Sequence, residues 1–135
     1  MEFSLSSEQE MIIDTVRSFV EQELYPHEDE VEKTNHIDVS LAESIKQKAI
    51  NLGLYATNMP VEYGGGGLDT LTLCLLEKEL GKANFGLQYI VARPSNILMA
   101  CKDEQIDKYL VPTIRGEKVD CLAMTEPNAG SDVRS

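Results

Sequence analysis

"SSEQEMIIDTVRSFVEQEL" spans residues 6–24 and carries a clear helical pattern near the amino terminus. Residues three and four apart are neighbours on a helix surface, so side chains with this spacing share one face. The pattern therefore predicts a helix that buries one face against other helices. The apolar residues of that face are Ile12, Val16, Phe19, Val20 and Leu24.

The start of this helix has the pattern of a capping box. The Ser7 side chain can accept the amide of Glu10, and the Glu10 carboxylate can reach back to the amide of Ser7. Pro26 lacks an amide hydrogen, so we expect it to bend or end the helix. The acidic stretch that follows, "HEDEVEKTNH" (residues 27–36), is interpreted as a solvated helix end and loop.

Two more helices have recognisable first and last residues. Asp38 can cap a helix over "VSLAESIKQKAINLG" (residues 39–53), which Gly53 ends. Another helix begins after Asp69, carries a leucine stripe and ends at Gly81. The connector between them contains "YGGGG" (Tyr63 to Gly67), which lacks the ending of a phosphate-binding loop. We interpret it as a flexible connector with positive φ angles.

The next segments continue the helical pattern. "NFGLQYIVARPSNILMAC" (residues 84–101) is apolar nearly all round, which predicts a buried helix that is kinked or broken at Pro94. Asp103 is predicted to cap a short amphipathic helix over "EQIDKYLVPTIRG" (residues 104–116). The carboxylates of Glu77 and Glu79 are interpreted as surface charges.

A short apolar segment, "VDCLAMTE" (residues 119–126), predicts a strand. A buried strand needs neighbours, and no earlier segment of the sequence has a strand pattern. We therefore predict a mainly α fold, an up-and-down helical domain over residues 1–117. Residues 118–135 would be the start of an incomplete β domain.

Composition narrows the function classes. The chain has 135 residues, of which 42% are hydrophobic and 26% are charged, with a formal net charge of −11. Such an acidic surface argues against nucleic acid or an anionic membrane as the main partner. The three cysteines are far apart and form no metal-ligand spacing with the two histidines. We expect reduced thiols, no metal and a cytoplasmic protein.

The final residues carry most of the functional information. In "MTEPNAGSD" (residues 124–132), amides freed at a strand end are combined with the hydroxyls of Thr125 and Ser131. Pro127 fixes a turn, while Ala129 and Gly130 allow a flat group or a phosphate to come close. Such a segment suits an acceptor-rich heterocycle and an oxygen-rich ligand. An ordinary strand, turn and cap would look similar.

At these residues the sequence resembles the acyl-CoA dehydrogenase family. "AMTEPNAGSDVRS" (Ala123 to Ser135) matches the first signature of that family position by position. The resemblance continues in "SSEQEMIIDTVRSFVEQELYPHEDEVEKT", "NLGLYATNMPVEYGGGGLD", "LLEKELGKAN" and "DEQIDKYLVPTIRGEKV", in the family's usual order. It implies a helical domain, a middle β domain and a C-terminal helical bundle, of which this chain holds the first part.

The resemblance also implies an activity. The family uses FAD to oxidise acyl-CoA thioesters to trans-2-enoyl-CoA, by α-proton abstraction and β-hydride transfer to flavin N5. Its members are homotetramers or homodimers that pass electrons to an electron-transferring flavoprotein. The catalytic base is a Glu of the C-terminal bundle, and no residue of this chain matches it. Glu126 belongs to the signature and is not that base.

Site residues follow from the same resemblance. Thr125 would bind the flavin pyrimidine edge through its hydroxyl and amide, and Ser131 would lie near both FAD and the CoA portion. A weaker correspondence places part of the apolar helix on the acyl pocket, at Gln88, Tyr89 and Ala92. The complete flavin-binding segment would be Leu122, Ala123, Met124, Thr125, Glu126, Pro127, Asn128, Ala129, Gly130 and Ser131.

Two alternatives remain open at this point. An acyl-CoA oxidase or a related flavoprotein would keep the fold and change the electron acceptor. A non-catalytic half-subunit that completes a split partner would explain the strand without neighbours. The sequence does not distinguish acyl chain length, branching or the direction of the reaction.

Overall fold

The computed structural model describes residues 4–91, 94–128 and 130–131, and these residues form a mainly helical domain. In chain order its α-helices are α1 (Ser7–Phe19), α2 (Glu28–Thr34), α3 (Val39–Asn51), α4 (Thr70–Leu80), α5 (Phe85–Ile90) and α6 (Val111–Ile114). The predicted helical class is confirmed. None of the helices in the described ranges is long and apolar enough to cross a membrane.

Helix α1 begins one residue earlier than the predicted capping box. Ser6, not Ser7, is the N-cap: its hydroxyl accepts the amide of Gln9 at 3.2 Å, and Gln9 Oε1 accepts the amide of Ser6 at 3.1 Å. Gln9 Nε2 also donates to Thr72 Oγ1 on α4, at 3.3 Å. The residue that completes the Ser6 capping box therefore also contacts the neighbouring helix. Glu10, the partner in the predicted Ser7 capping box, has no such contact among the described residues.

The chain after α1 stays helical but changes its winding around Pro26. A π-helical turn covers Val20–Leu24 and a 3₁₀ turn covers Tyr25–His27, after which α2 begins. Because Pro26 donates no hydrogen bond, the regular α-helical ladder cannot pass through it. The acidic stretch predicted as helix end and loop is therefore mostly α2, which ends at Asn35 with a left-handed φ of 49°.

The main core lies between α1, α3, α4 and α5. Its fully buried side chains include Val16 and Leu24 from the first helical region, Ile45 from α3 and Leu87 from α5. The predicted apolar face of α1 is confirmed, since four of its five residues are buried and Ile12 packs against them. A second cluster beside it contains Ala56, Met59, Leu110 and Ile114.

The glycine-rich connector is ordered. The amides of Gly65, Gly66 and Gly67 donate to the carbonyls of Pro60, Ala56 and Met59, at 2.8–3.0 Å. A Cβ on Gly65 would lie 2.3 Å from the Met59 carbonyl oxygen, so a larger residue has no room there. The predicted positive φ angles are confirmed at Gly64 and Gly67, at 93° and 61°. The connector is nevertheless closely hydrogen-bonded, because its glycines allow two backbone segments to pack directly on each other.

Three further predictions need correction. The predicted break in the segment over residues 84–101 is confirmed, with α5 ending at Ile90 and a 3₁₀ turn over Asn96–Ala100, but the predicted burial is wrong because its outer face is exposed. Asp103 does not have the extended geometry of an N-cap, since its φ is 48°. The predicted strand over residues 119–126 is not formed; the chain there has no regular structure apart from a bridge at Glu126. No partner strand lies among the described residues to accept its hydrogen bonds.

The last helical region winds around Pro112. A π-helical turn over Ile106–Leu110 leads into α6, and Pro112 cannot donate to the carbonyl of Lys108 four residues earlier. The Lys118 Nζ donates to that carbonyl at 2.7 Å. The carbonyl that proline leaves free is therefore satisfied by a side chain at the exit from the domain.

Candidate functional site

The signature segment leaves the helical domain as an exposed stretch. Every described residue from Cys121 to Ser131 is solvent-exposed, including Leu122 and Met124. A Cβ on Gly130 would meet no heavy atom within 4 Å. The hydroxyls of Thr125 and Ser131 are therefore reachable from solvent, as a ligand-facing edge requires. Ala129 lies outside the described residues.

Helix α5 presents an aromatic surface. Asn84 caps it by accepting the amides of Gly86 and Leu87, and Leu87 anchors it in the core. On its outer side Phe85 and Tyr89 are 73% and 57% exposed, with ring centroids 6.0 Å apart. The helix therefore offers a rigid aromatic face.

Two carboxylates of α2 hold the start of α5. The backbone amide of Asn84 donates to Glu28 at 2.6 Å, and its side-chain amide donates to Glu32. Gly86 leaves room for this cap, because a Cβ there would lie 3.2 Å from the Asn84 Oδ1 that accepts its amide. The position of the aromatic face is therefore set by polar contacts at its first turn.

A cleft of about 550 Å³ lies between α5 and the residues just before the signature, Val119 to Leu122. Tyr89 and Leu122 both line it, so the structure brings together one predicted acyl-pocket residue and the first residue of the predicted flavin edge. Gln88 is half-buried and is not among the described residues that line the cleft; its Oε1 lies towards Gly81 at the end of α4. Ala92 lies outside the described residues.

The polar end of this cleft contains residues that the sequence did not single out. Burial, together with the nearby charge of Asp120, raises the pKa of the Tyr55 hydroxyl. The Lys46 Nζ lies 5.5 Å from the centre of the Tyr55 ring and donates to the Gly116 carbonyl at 2.5 Å. These residues are brought together by tertiary contacts between distant parts of the chain, so no local sequence pattern indicates that they line the cleft.

No catalytic constellation is visible in the described ranges. They hold no group of three or more His, Cys, Asp or Glu side chains placed to bind a metal ion. Glu79 has a strongly perturbed environment, but it is buried against Arg17 and Lys82, at 3.2 Å and 2.5 Å, rather than in a cleft between the ligand-facing segments. Its surface-charge interpretation was wrong, and its contacts indicate a structural role.

Comparison with known proteins decides the family. The family model described as "Acyl-CoA dehydrogenase, N-terminal domain" matches residues 6–117. The chain belongs to the acyl-CoA dehydrogenase family. The match covers the whole helical region described above and stops just before the exposed segment that carries the signature.

Individual acyl-CoA dehydrogenase relatives agree with this assignment. The chain is 38% identical over 132 residues to the 3-(aryl)acrylate reductase of Clostridium sporogenes, covering 94% of this chain and 34% of that protein. It is 37% identical over 136 residues to the mitochondrial isovaleryl-CoA dehydrogenase of Pongo abelii, covering 97% and 32%. The chain thus spans about a third of the length of these curated relatives.

A solved structure shows the same fold in the family. An acyl-CoA dehydrogenase from Bacillus anthracis, determined in complex with FAD, superposes with a TM-score of 0.76 at 30% identity. The superposition covers 96% of this chain and 22% of that one. The helical arrangement described here is therefore the arrangement of an acyl-CoA dehydrogenase, and the resemblance seen in the sequence is confirmed.

Proposed function

We propose that this chain is the N-terminal part of an FAD-dependent acyl-CoA dehydrogenase that oxidises acyl-CoA to trans-2-enoyl-CoA. The observation that supports the proposal is the exposed signature segment. It follows a helical domain of this family, and its hydroxyl groups and backbone are accessible to a ligand. We further propose a domain boundary after residue 117, which the end of the family match supports.

The residues present suit the cofactor. Thr125 has a hydroxyl that can donate and accept, and its exposure leaves it available to the polar edge of a flavin ring. Ser131 offers a second hydroxyl, and the space beside Gly130 allows a flat or phosphate group to approach. In our proposal residues Leu122 to Ser131, including Ala129, hold FAD, and Ser131 also meets the CoA portion.

In this proposal the residues of this chain bind FAD and the acyl group, while the catalytic base lies outside it. A carboxylate outside this chain removes the α-proton of the thioester, and the electron pair of that C–H bond forms the new double bond. FAD, when bound, accepts the hydride that leaves the β-carbon. On this chain the Thr125 hydroxyl and amide would hold the pyrimidine edge of FAD and would supply hydrogen bonds that stabilise negative charge there. Tyr89, with Gln88 and Ala92 as weaker candidates, forms part of the acyl wall.

A tagged form of the chain, purified gently from its native host, tests this proposal. We expect it to bring down a yellow flavoprotein assembly, a homo-oligomer of the full-length form, that reduces a dye when acyl-CoA is added. The physiological acceptor is proposed to be an electron-transferring flavoprotein, so oxygen should replace the dye poorly; rapid turnover with oxygen would instead indicate an oxidase. A colourless preparation without acyl-CoA-dependent dye reduction would contradict the proposal.

A second candidate is the reverse reaction, reduction of an unsaturated aryl acyl group. It is favoured by the relative named 3-(aryl)acrylate reductase and by the exposed Phe85–Tyr89 pair beside the cleft. Aromatic rings pack well against one another, so this pair suits an aryl substituent. The turnover rate of the purified assembly is measured with an arylpropionyl-CoA plus an electron acceptor, and with an arylacryloyl-CoA plus an electron donor. The faster of the two reactions identifies the direction.

A further inference from the structure

A hydrogen bond joins two of the described segments that line the cleft, the turn after α5 and the residues just before the signature. Asp120 precedes the signature by a few residues, and its Oδ2 accepts the backbone amide of Ser95 at 3.2 Å. Ser95 follows Pro94, which contributes no amide hydrogen of its own. The Ser95 amide is therefore the first donor after Pro94, and the residue that binds it is Asp120.

The same turn is held from its other side. Asn58 Nδ2 donates to the Pro94 carbonyl at 2.8 Å and to Asn96 Oδ1 at 2.7 Å. Asn58 lies between the buried residues Thr57 and Met59, in the segment whose carbonyls accept the amides of the glycine-rich connector; residues 56–68 together are called the glycine-rich loop here. The loop thus fixes the turn after α5 to the core, and Asp120 fixes the exit segment to that turn.

The exit segment, residues 116–122, has two further side-chain hydrogen bonds to the helical domain before Asp120. Lys46 donates to the Gly116 carbonyl, and Lys118 donates to the Lys108 carbonyl. These bonds set the path of the chain up to residue 118. Asp120 is then the last described residue before the exposed signature segment with a side-chain hydrogen bond back to the helical domain.

We propose that Asp120 is a positioning residue, which fixes the flavin-facing segment relative to the α5 wall of the acyl pocket. This inference rests on the proposed function. Tyr89 of that wall and Leu122 of that segment line one cleft. Four residues without regular structure separate Asp120 from Thr125. A displacement at Asp120 moves the segment against the wall, and a misplacement of about 1 Å between reacting groups can lower a rate by roughly 100-fold.

Two substitutions separate the hydrogen bond from mere packing. Asp120→Ala removes the acceptor, whereas Asp120→Asn keeps an oxygen that can accept the Ser95 amide. Glu117→Ala is the matched control, since Glu117 is exposed three residues earlier and its recorded hydrogen bond uses the backbone amide. Asp120 lies outside both hydrophobic clusters of the described residues, so all three variants are expected to fold, which circular dichroism checks.

The first readout is amide hydrogen exchange at Ser95 in the 135-residue chain. We expect exchange about tenfold faster in Asp120→Ala, close to wild type in Asp120→Asn and unchanged in the control. The second is steady-state turnover of the purified assembly. There Asp120→Ala should lower kcat by roughly 10- to 100-fold with little change in KM or flavin content, and Asp120→Asn should restore most of it.

The outcomes distinguish this inference from the function on which it rests. Suppose that the wild-type assembly is active. If Asp120→Ala then has a normal kcat, or if Asp120→Asn does not restore kcat, the positioning role alone is overturned. An equal loss in Glu117→Ala would overturn it too. A wild-type assembly without acyl-CoA turnover would overturn the proposed function and this role together, whatever the exchange rate at Ser95.

Discussion

Glu79 shows how a single residue can differ from its sequence interpretation. It lies in α4 with its side chain 6% exposed, and it accepts hydrogen bonds from Arg17 of α1 and Lys82 after α4. The sequence shows a charge beside a leucine stripe, and nothing local indicates that a cation from another helix will cover it. A buried carboxylate of this kind is stable because it is paired on two sides.

The Glu79 contacts predict a pH dependence of stability. Hydrogen bonding to Lys82, opposed by burial and supported by Arg17, holds the pKa of Glu79 below its ordinary value. A folded-state pKa below the unfolded one gives stability that is present above the unfolded pKa and is lost as pH falls through the folded pKa. The loss should therefore begin below about pH 5.

Glu79→Gln should lower the free energy of unfolding at pH 7 by about 1–2 kcal/mol, since both cations are half-exposed and partly solvated. It should also flatten the decline of stability with acid. Urea titrations across pH measure both effects, with the exposed Glu62→Gln as control. An acid decline as steep as that of the wild type would show that Glu79 does not contribute to it.

At the scale of elements, helices were predictable and their surroundings were not. The predicted N-cap Asp38 is confirmed, since its side chain accepts the amide of Ser40, and the helix predicted to begin after Asp69 does begin there, with the Asp69 side chain accepting the amides of Leu71 and Thr72. Capping uses residues close together in sequence, so Asp38 could be identified locally. The predicted caps Ser7 and Asp103 were wrong, because the sequence does not fix which neighbouring residue takes the cap position or its backbone angles. Which faces of α5 are covered depends on what packs elsewhere, so a helix that looked buried on all sides is buried only at Leu87 and exposed at Phe85 and Tyr89.

The glycine-rich loop gives an element-scale prediction. Gly65→Ala places a Cβ against the Met59 carbonyl, and overpacking of this kind costs about 1–3 kcal/mol. We expect thermal unfolding at a lower midpoint, accompanied by faster amide exchange in residues 56–68. Gly130→Ala is the matched control, because its Cβ meets no atom within 4 Å. Equal midpoints for the two variants would contradict the tight packing of this loop.

For the whole molecule, the sequence predicted the helical class and family, but it could not show how distant segments meet. The signature could be identified from consecutive residues alone. The cleft lined by Tyr89 and Leu122 depends on the path of the chain after Pro94, which the sequence does not show. The strand prediction was wrong for a related reason. Strand residues need a partner to pair their amides and carbonyls, and the described residues supply none.

An isolated 135-residue chain should bind FAD weakly. Its signature segment is exposed along its described length, so it offers one edge of a flavin site and no enclosing walls. Mixing the pure chain with FAD should leave flavin fluorescence essentially unchanged. Free riboflavin added to the same chain controls for non-specific quenching, and formation of a tight, stoichiometric holoprotein would contradict this expectation.

The central claim, that this chain contributes the flavin-facing edge of an acyl-CoA dehydrogenase, is tested most directly by an anaerobic titration of the assembly purified through it. Adding a saturated acyl-CoA should bleach the oxidised flavin band in proportion to the flavin present, with trans-2-enoyl-CoA as the product. A flavin spectrum that does not respond to any saturated acyl-CoA, or an assembly that contains no flavin, would contradict the claim.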